Sequence, residues 1–457
     1  MGPQANEMLI PFSEIVKQYD MDIHGILHVG AHHCEELEDY EKVVSRDKIL
    51  WIEAIPDNVE YCQSRFPDIR IQQAVVGENN GDPVTFNISN NGQSSSLLPL
   101  GTHLQHHPWV WYVGAFNTTT RTVQSVVDEH QFTGANFINL DIQGTELQAL
   151  KGTDLSHVDY IYTGVKSEHV YEGCSLIGEL DTYLKDQGFY RADVSWQADC
   201  GWGDALYIRV RLSLCIPTMN RYQYLSQTLP QYVEFMDRGL IQEIVVSDET
   251  GHDAVKIAHE LPKTLPPIRL HVNNSVLGAF HNKLAVCRLA KYPYIVLIDS
   301  DNFCGSGYLK QMRTYLIEQK MWTCSHFVLA PARAEPMFDF SEFVGVYTLD
   351  NLPERSGNGM FRVLMNTGNY VVSKATIEDM VVPDRKHVDA CDVIYFAILA
   401  FQQHSETDSF EFHVVPKTAY THTYESPDGV YYLLSKKPEY AEQCEKVYKE
   451  FQRLRRS

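Results

Sequence analysis

The sequence predicts an α/β protein made of two consecutive domains, residues 1–209 and 210–457. Strand-like apolar runs alternate with helix-like segments, and polar residues follow directly where the strands end. The charge is also divided, since residues 1–209 hold 12 Lys+Arg against 30 Asp+Glu. Strand–helix alternation favours parallel, doubly wound sheets, whose ligands lie beyond the carboxyl ends of the strands.

The first domain alternates short buried strands with amphipathic helices. The predicted strands are 26–29, 49–52, 71–76, 136–140 and 205–210. The predicted helices are 35–44, 58–66, 146–151 and 175–187. Each strand is a continuous apolar run, which is typical of a strand covered on both faces.

The second domain repeats this alternation and then becomes less regular. Its predicted strands are 212–216, 243–247, 268–272 and 294–298. Its predicted helices are 252–261, 278–290 and 306–319. The pattern weakens after about residue 328, where we expect loops that contact an acceptor.

The composition excludes several classes of protein. The 457 residues are 44% hydrophobic and 21% charged, which excludes a largely disordered chain. The net charge of −21 disfavours a nucleic-acid binder, because phosphate contacts need cationic side chains. No run approaches the ~18 apolar residues that span a bilayer. The N-terminus also lacks a signal-peptide pattern, so we expect a cytoplasmic protein whose oligomeric state stays open.

A glycine turn and an acidic strand end mark a candidate cofactor site in the first domain. Gly30 and Ala31 follow the first predicted strand, and Glu53 ends the second. The glycine allows close approach to the backbone, and the acid can bind both hydroxyls of a ribose. The GxGxxG pattern of a pyrophosphate site is missing, which disfavours a dinucleotide-dependent oxidoreductase. S-Adenosylmethionine fits better, although a plain turn also explains Gly30.

Further motifs agree with a methyltransferase. Segments HVGAHHCEE, WIEAIP, QSSSLL, LDIQGTELQALKG and GWGDALYIR resemble the FkbM family of S-adenosylmethionine-dependent O-methyltransferases over about residues 20–210. The resemblance implies a Rossmann-like methyltransferase sheet. The cofactor-binding residues that it implies are Gly30, Ala31, His32, Glu35, Glu53 and Asp141. His28 and His32 stand where the commoner motif has Asp and Asn.

Methylation of a sugar hydroxyl also needs a base for its proton. Asp141, Glu168 and His169 are the candidates, and the sequence does not rank them. A solvated loop histidine explains His169 equally well. A cluster of His103, His106 and His107 has poor spacing for a metal site, and we interpret it as a polar loop.

The second domain contains an acidic motif directly after a buried strand. The apolar run 294–298 leads into Asp299-Ser300-Asp301. Carboxylates two residues apart at a strand end can share a divalent cation, which neutralises a diphosphate leaving group. We therefore expect Mn²⁺ or Mg²⁺ here.

The order of motifs resembles the glycosyltransferases of the A-type fold (GT-A), especially the inverting family 2. The resemblance covers residues 211–305 well and 306–425 more loosely. It implies a nucleotide-sugar donor, UDP- or GDP-linked, and a glycan acceptor. The implied donor-binding residues are Thr218, Asn220, Arg221, Asp248, Gly278, Asn282, Lys283, Asp299 and Ser300, with Asp301 on the metal. A solvated helix position explains Lys283 equally well.

Two later segments supply the remaining candidates. Asp389 and Asp392 lie at about the family's position for the catalytic base, and we favour Asp389. The competing interpretation is that Asp389 caps the helix over 393–401. His422 follows another strand-like segment and is a candidate metal ligand, with a buried hydrogen-bonded histidine as the alternative.

The leading hypothesis is a bifunctional glycan-modifying enzyme. The second domain transfers a sugar, and the first methylates a sugar hydroxyl. The alternative is a glycosyltransferase whose methyltransferase-like domain is inactive and docks the acceptor. The altered residues His28 and His32 make this alternative reasonable.

Overall fold

A computed structural model describes residues 8, 10–261, 268–352, 359–366, 368–404, 410–423, 434 and 436–454. The chain divides into two compact units, Met1–Arg209 and Val210–Ser457. The main sheet of the first unit is mostly parallel, and the sheet of the second unit combines a parallel half with antiparallel strands, so the predicted α/β fold class is confirmed.

The first unit contains nine strands and seven α-helices among its described residues. The strands are β1 (Ile26–Val29), β2 (Ile49–Glu53), β3 (Ile71–Gln73), β4 (Pro83–Ser89), β5 (Tyr112–Thr119), β6 (Phe137–Leu140), β7 (Tyr160–Lys166), β8 (Phe189–Trp196) and β9 (Trp202–Arg209). The helices are α1 (Phe12–Gln18), α2 (Leu37–Tyr40), α3 (Pro56–Arg65), α4 (His103–His106), α5 (Val123–Glu129), α6 (Glu146–Lys151) and α7 (Ile177–Asp186), with a 3₁₀ turn at Arg46–Lys48.

The main sheet of the first unit has the order β3-β2-β1-β6-β7-β9-β8. The pairs from β3 to β7 are parallel, whereas β9 runs antiparallel to both β7 and β8. Strand order reverses at β1, which lies between β2 and β6. Such a reversal opens a crevice at the carboxyl ends of the strands, where ligands bind in open α/β sheets.

The buried residues of β1, β2 and β6 point alternately to two apolar clusters, one on each face of this sheet. One cluster contains Leu27, Leu50 and Ile138, and the other contains Ile26 and Trp51. This arrangement explains why the strands read as continuous apolar runs without polar alternation.

The hairpin of β4 and β5 is a separate two-stranded sheet that the strand–helix pattern does not predict. Its residues are mostly polar or partly exposed. The pattern also does not predict the edge strand β8. The helix predicted over 35–44 is shorter than expected, because only Leu37–Tyr40 is α-helical.

Within its described parts, the second unit has nine strands and eight α-helices. The strands are β10 (Leu212–Thr218), β11 (Glu243–Asp248), β12 (Arg269–Val272), β13 (Tyr294–Leu297), β14 (Phe327–Glu335), β15 (Phe338–Asp339), β16 (Gly345–Tyr347), β17 (Tyr370–Ser373) and β18 (Glu411–Thr421). The helices are α8 (Tyr222–Asp237), α9 (His252–Glu260), α10 (Ala279–Arg288), α11 (Ser306–Glu318), α12 (Gly359–Leu364), α13 (Lys374–Glu378), α14 (Asp392–Gln403) and α15 (Pro438–Phe451), with 3₁₀ turns at Met321–Thr323 and Ser341–Phe343.

The sheet of the second unit has the order β12-β11-β10-β13-β17-β14-β18-β16, and β15 pairs with β14. Strands β10 to β13 are mutually parallel, and β17 runs antiparallel between β13 and β14. Strand order reverses at β10, between β11 and β13. Thr218 and Asp299 therefore reach the same edge of the sheet, at the point where a ligand crevice is expected.

Gly30 provides a test of the turn after β1. Its φ is +98°, and a Cβ at this position would lie 2.0 Å from the carbonyl oxygen of Asp141. Gly81 has a φ of +86°, and a Cβ there would have no other atom within 4 Å. We expect Gly30→Ala to lower the free energy of unfolding by about 3 kcal/mol, because overpacking adds to backbone strain. Gly81→Ala should cost only about 1 kcal/mol, from the strain alone.

Urea denaturation of the full chain, followed by tryptophan fluorescence, measures both values. Equal losses in the two variants would contradict the close approach of Gly30 to Asp141.

Candidate active sites

A cavity of about 600 Å³ opens at the carboxyl ends of β1, β2 and β6 in the first unit. All six residues that the sequence assigns to the cofactor line this cavity. They are Gly30, Ala31, His32, Glu35, Glu53 and Asp141. Residues 91–95, in the segment between β4 and β5, cover another part of the wall.

The turn after β1 brings backbone into the cavity. The N–H groups of Gly30 and Ala31 both donate to the carbonyl of Ile52, at 2.9 and 3.1 Å. The N–H of Asp141 donates to the carbonyl of Val29 at 2.9 Å. These bonds hold three strand ends together, and the missing side chain of Gly30 leaves the backbone accessible.

Glu53 is fixed by two backbone donors. Its Oε2 accepts from the N–H of His32 at 2.7 Å, and its Oε1 accepts from the N–H of Ile55 at 2.8 Å. Burial raises the pKa of Glu53, while these two N–H groups act in the opposite direction. The carboxylate is therefore held rigidly at the end of β2, where its remaining lone pairs can accept from a ligand hydroxyl.

Asp141 lies beside a buried ion pair. Gln143 Nε2 donates to Asp141 Oδ1 at 2.6 Å. The buried Lys166 Nζ lies 3.9 Å from Glu146 Oε1. A Cβ on Gly164 would lie 3.3 Å from this Nζ and 3.8 Å from Asp141 Oδ1, so the glycine leaves space where the charged groups meet. Neither Gln143 nor Lys166 was among the candidates from sequence.

The cavity also contains two acids, Glu36 and Asp204, that were not among the candidates from sequence. Burial raises the pKa of Glu36 to about 8, and three neighbouring carboxylates add to this shift. Asp204 Oδ2 accepts from Tyr162 Oη at 2.7 Å. Glu36 ends the HVGAHHCEE segment and Asp204 lies in the GWGDALYIR segment, so both could have been selected from the motifs.

His28 adopts a buried position next to aromatic rings. It stacks on Trp51 with 4.6 Å between ring centroids, and its Nδ1 lies 3.0 Å from Tyr40 Oη. Burial lowers the pKa of His28 to about 4, so the ring is neutral at physiological pH. A neutral imidazole thus occupies the position of the acid in the commoner motif.

Glu168 and His169 are not on the cavity wall. Glu168 Oε1 accepts from Thr102 Oγ1 at 2.9 Å and lies 2.7 Å from His106 Nε2, a contact that lowers the pKa of Glu168. His169 Nδ1 lies 3.2 Å from the carbonyl oxygen of Cys174. Both side chains make these contacts away from the cavity wall, so neither points to the expected cofactor in this structure. Of the histidine cluster, His103 and His107 line the cavity.

In the second unit, Lys283 lies between the carboxylates of Asp299, just after β13, and of Asp392, the first residue of α14. Its Nζ lies 2.9 Å from Asp299 Oδ1 and 2.8 Å from Asp392 Oδ2. Burial alone would lower the pKa of Lys283, but the two carboxylates outweigh it and hold the pKa above its usual value. Burial raises the pKa values of Asp299 and Asp392, with Lys283 opposing both shifts. Lys283 is therefore not a solvated helix residue.

Asp301 lies next to the end of β18. Phe303 and Thr421 exchange two backbone hydrogen bonds of 3.0 and 2.8 Å, and Thr423 Oγ1 donates to the carbonyl of Asp301. This pairing brings His422 close to the acidic motif, and its Nδ1 lies 3.0 Å from Tyr420 Oη.

Burial and neighbouring charges shift the pKa values of Asp301 and His422 in opposite directions. Burial raises the pKa of Asp301, and the cation of Arg221 acts against this shift. Burial lowers the pKa of His422, opposed by Asp299. Ser300, between the two acids, is buried.

The loop after β10 is organised by Asp253, which the motifs did not identify. This fully buried carboxylate accepts from Thr218 Oγ1 at 2.6 Å. It also accepts from the N–H groups of Arg221 and Tyr222 at the start of α8, at 2.9 and 3.0 Å. Asn220 has a left-handed φ of +57° within this loop. Asp253 thus shapes the loop that carries the candidates Thr218, Asn220 and Arg221.

Asp248 and Asn282 make internal contacts at the strand ends. Asp248 Oδ2 accepts from the N–H of Ala254 at 2.9 Å, and its Oδ1 accepts from the N–H of Thr250 at 3.0 Å. Asn282 Nδ2 donates to the carbonyl of Ser247 at 3.2 Å. Both side chains are buried and support the crevice through these contacts, and their assignment to the donor nucleotide stays a prediction.

Asp389 contacts the start of α10. Its Oδ1 accepts from the N–H of Phe280 at 3.1 Å, and both its oxygens lie 2.7 Å from a Cβ placed on Gly278, whose φ is +86°. Burial raises the pKa of Asp389, opposed by the N–H of Phe280. Asp389 therefore caps α10, and not the helix over 393–401 as the competing interpretation proposed.

Two family models match the chain. Residues 28–190 match the methyltransferase FkbM domain, and residues 213–331 match glycosyl transferase family 2. The chain thus joins an FkbM methyltransferase domain to a family 2 glycosyltransferase domain, which confirms the two resemblances found in the motifs.

Solved structures that match part of this chain include TarS from S. aureus. The crystal structure of its residues 1–349 is 15% identical over 53% of this chain and 71% of that chain, with a TM-score of 0.36. The same fragment in complex with UDP-GlcNAc is 14% identical over 52% and 66% of the two chains, with a TM-score of 0.38. No curated protein matches this sequence. Within the described ranges, no helix combines the length and apolar character needed to cross a bilayer.

Lys283 allows a test of the charge cluster. We expect Lys283→Met to lower the free energy of unfolding by about 3–5 kcal/mol at pH 7, because it leaves buried carboxylates without their cation. Without Lys283, the folded-state pKa values of Asp299 and Asp392 rise further above their unfolded values. The penalty should therefore be small near pH 4 and grow as pH rises through the raised folded pKa values.

Urea denaturation at pH 4 and pH 7, each compared with the unsubstituted protein, measures this difference. Lys310→Met, which removes an exposed lysine of α11, is the matched control and should change stability little at either pH. An equal penalty for Lys283→Met at both pH values would contradict the proposed pairing.

Proposed function

We propose that this protein is a bifunctional glycan-modifying enzyme. Its second domain transfers a sugar from a nucleotide-sugar donor with inversion at the anomeric carbon. Its first domain methylates a sugar hydroxyl with S-adenosylmethionine. One observation carries the proposal. In each sheet, acidic and other polar residues lie at the carboxyl ends of the strands, at the point where the strand order reverses. The two family matches agree with these two chemistries.

The first cavity suits S-adenosylmethionine in size and chemistry. Its volume of about 600 Å³ falls in the usual range for cofactor sites. Glu53 supports binding of ribose hydroxyls, and Gly30, Ala31, His32, Glu35 and Asp141 would hold the rest of the molecule. When bound, the cofactor supplies an electrophilic methyl group on a cationic sulfonium, which an acidic cavity favours.

Asp141 is the candidate that we retain for the methylation base. It lies on the cavity wall, and the 2.6 Å hydrogen bond from Gln143 orients its carboxylate. Its role would be to accept the proton of the sugar hydroxyl as the methyl group is transferred. Glu168 and His169 make their contacts outside this wall, so neither supports this step.

The second site suits a divalent cation, Mn²⁺ or Mg²⁺. Asp301 and His422 supply a carboxylate and an imidazole, and Asp299 contributes further negative charge. When bound, the cation would neutralise the diphosphate of the departing nucleotide. Arg221, whose charge acts on Asp301, could assist at the phosphates, with Thr218 and Asn220 on the same loop. The donor is UDP- or GDP-linked, and the acceptor is a glycan.

Asp389 is the proposed base for sugar transfer. Only Oδ1 is used to cap α10, and a carboxylate oxygen retains lone pairs for an acceptor hydroxyl. A raised pKa makes this carboxylate a stronger proton acceptor. Asp392, in contrast, is paired with Lys283, and its role would be to position that lysine and Asp299.

A second candidate function retains sugar transfer and makes the first domain an acceptor-docking module. The observation that favours it is the neutral His28, which stacks on Trp51 where the commoner motif has an acid. Calorimetry with S-adenosylmethionine separates the two functions. Binding supports the bifunctional enzyme, and no binding supports the docking module.

Reciprocal substitutions test the assignment of the two reactions. Asp301→Asn should reduce metal-dependent release of nucleotide from the donor by about 100-fold or more, because it removes the charge that holds the cation. Methylation of a supplied glycosylated product should continue. Glu53→Gln should weaken S-adenosylmethionine binding by about 10-fold or more and leave nucleotide release intact, since one charged acceptor is lost.

Transfer of label from the donor sugar and from the cofactor methyl group measures both reactions in one sample. Glu60→Gln, an exposed glutamate of α3, is the control for Glu53→Gln. Loss of both reactions from either substitution would contradict separate sites.

Asp389→Asn tests the base for sugar transfer. The amide oxygen can still accept from the N–H of Phe280, so the cap is kept while basicity is lost. We expect kcat to fall by about 10²–10⁴-fold with little change in the KM for the donor. Asp384→Asn, in the same loop and exposed, should leave kcat unchanged. A normal kcat in Asp389→Asn would contradict the role of Asp389 as the base and leave it only its role in capping α10.

A further inference from the structure

The loop after β1 carries two histidines and a glutamate. His32 and Glu35 are proposed cofactor residues, whereas His33 has no role in the proposed reactions. His32, His33 and Glu35 follow Gly30 within five residues. His32 and Cys34 have left-handed φ values of +43° and +58°. Such values are uncommon for residues other than glycine, so the backbone of this loop is unusual.

The three side chains converge. His32 Nδ1 lies 2.6 Å from Glu35 Oε1, and the rings of His32 and His33 stack with 3.9 Å between centroids. One donor atom from each of the three residues lies within 4.8 Å of the other two. Across the described residues, this is the one group of three or more His, Cys, Asp or Glu side chains that meets this distance.

The surroundings hold this loop in position. Cys62 Sγ donates to the carbonyl of His32 at 3.3 Å, and the ring of Tyr61 lies 4.3 Å from that of His33. A Cβ on Gly92 would lie 3.3 Å from His32 Nε2, so His32 offers Nδ1 to its neighbours from a confined position. The backbone N–H of His33 also donates to Glu35 Oε2 at 3.1 Å.

We propose that His32, His33 and Glu35 form a binding site for a divalent transition metal ion, with zinc as the best match. Two imidazoles and one carboxylate are a donor set typical of zinc sites that keep an open position. Oxygen-only sets, in contrast, favour magnesium or calcium. The metal ion replaces the hydrogen bond between His32 and Glu35 and displaces the proton that this bond shares.

The site lies at the edge of the cavity. His32 and Glu35 are on the cavity wall, whereas His33 is not. The remaining coordination positions are filled by water or by an oxygen or nitrogen atom of a molecule in the cavity. This inference does not depend on the proposed function, because metal binding is measured without cofactor or sugar.

Calorimetry with Zn²⁺ on the chelator-treated full chain tests the proposal. We expect one equivalent to bind, and His33→Ala to weaken the affinity by at least about 10-fold, since loss of even a supporting contact costs 10–100-fold. Glu35→Gln should weaken it similarly. His24→Ala is the matched control, because His24 is an exposed histidine 3.6 Å from an aspartate and should bind no stoichiometric metal.

Co²⁺ in place of Zn²⁺ gives a second measurement, because the visible absorption of Co²⁺ reports its coordination. The bands expected in the unsubstituted protein should be lost in His33→Ala. Unchanged Zn²⁺ affinity in His33→Ala, an equal loss in His24→Ala, or no stoichiometric binding would each overturn the proposal. His33→Ala should keep its binding of S-adenosylmethionine, since His33 lies outside the cavity wall, whereas His32 and Glu35 are shared with the proposed cofactor site.

Discussion

Buried carboxylates that accept backbone N–H groups are the interaction on which both candidate sites depend. Glu53 accepts from His32 and Ile55, and Asp253 accepts from Arg221 and Tyr222. A buried carboxylate without such donors would cost several kcal/mol. These hydrogen bonds therefore fix the carboxylates and also fix the loops whose N–H groups donate to them. Both sheet edges are held in one conformation as a result.

In the second unit, the same problem of buried negative charge has a different solution. Asp299 comes just after β13, and Asp392 begins α14. Lys283 of α10 lies between their carboxylates. Ion pairs of this type contribute little to stability on balance, but they set the positions of their members. The nearby acid Asp301 is not a member of this pairing, which leaves its carboxylate for other chemistry.

The sequence predicted the features that depend on residues adjacent in the chain, namely the strands and the polar residues at their ends. Apolar runs ending in Gly30, Glu53, Asp141 and Asp299 indicated the strands and most of the acids at their ends. Contacts between distant segments were not predictable. Asp253 lies 35 residues from Thr218, with which it pairs, and nothing local distinguishes it from a first-turn helix acid. The contact of Glu168 with His106 is of the same kind, because His106 lies 62 residues away on α4.

The cap that Asp389 provides has a mechanical consequence. Its partner Phe280 is 109 residues away in the chain and begins the helix that carries Lys283. A shift of α10 along its axis would move or release this carboxylate, and a rotation of the carboxylate would in turn displace the start of the helix. A contact between segments far apart in the chain therefore couples the position of Asp389 to that of the helix that carries Lys283.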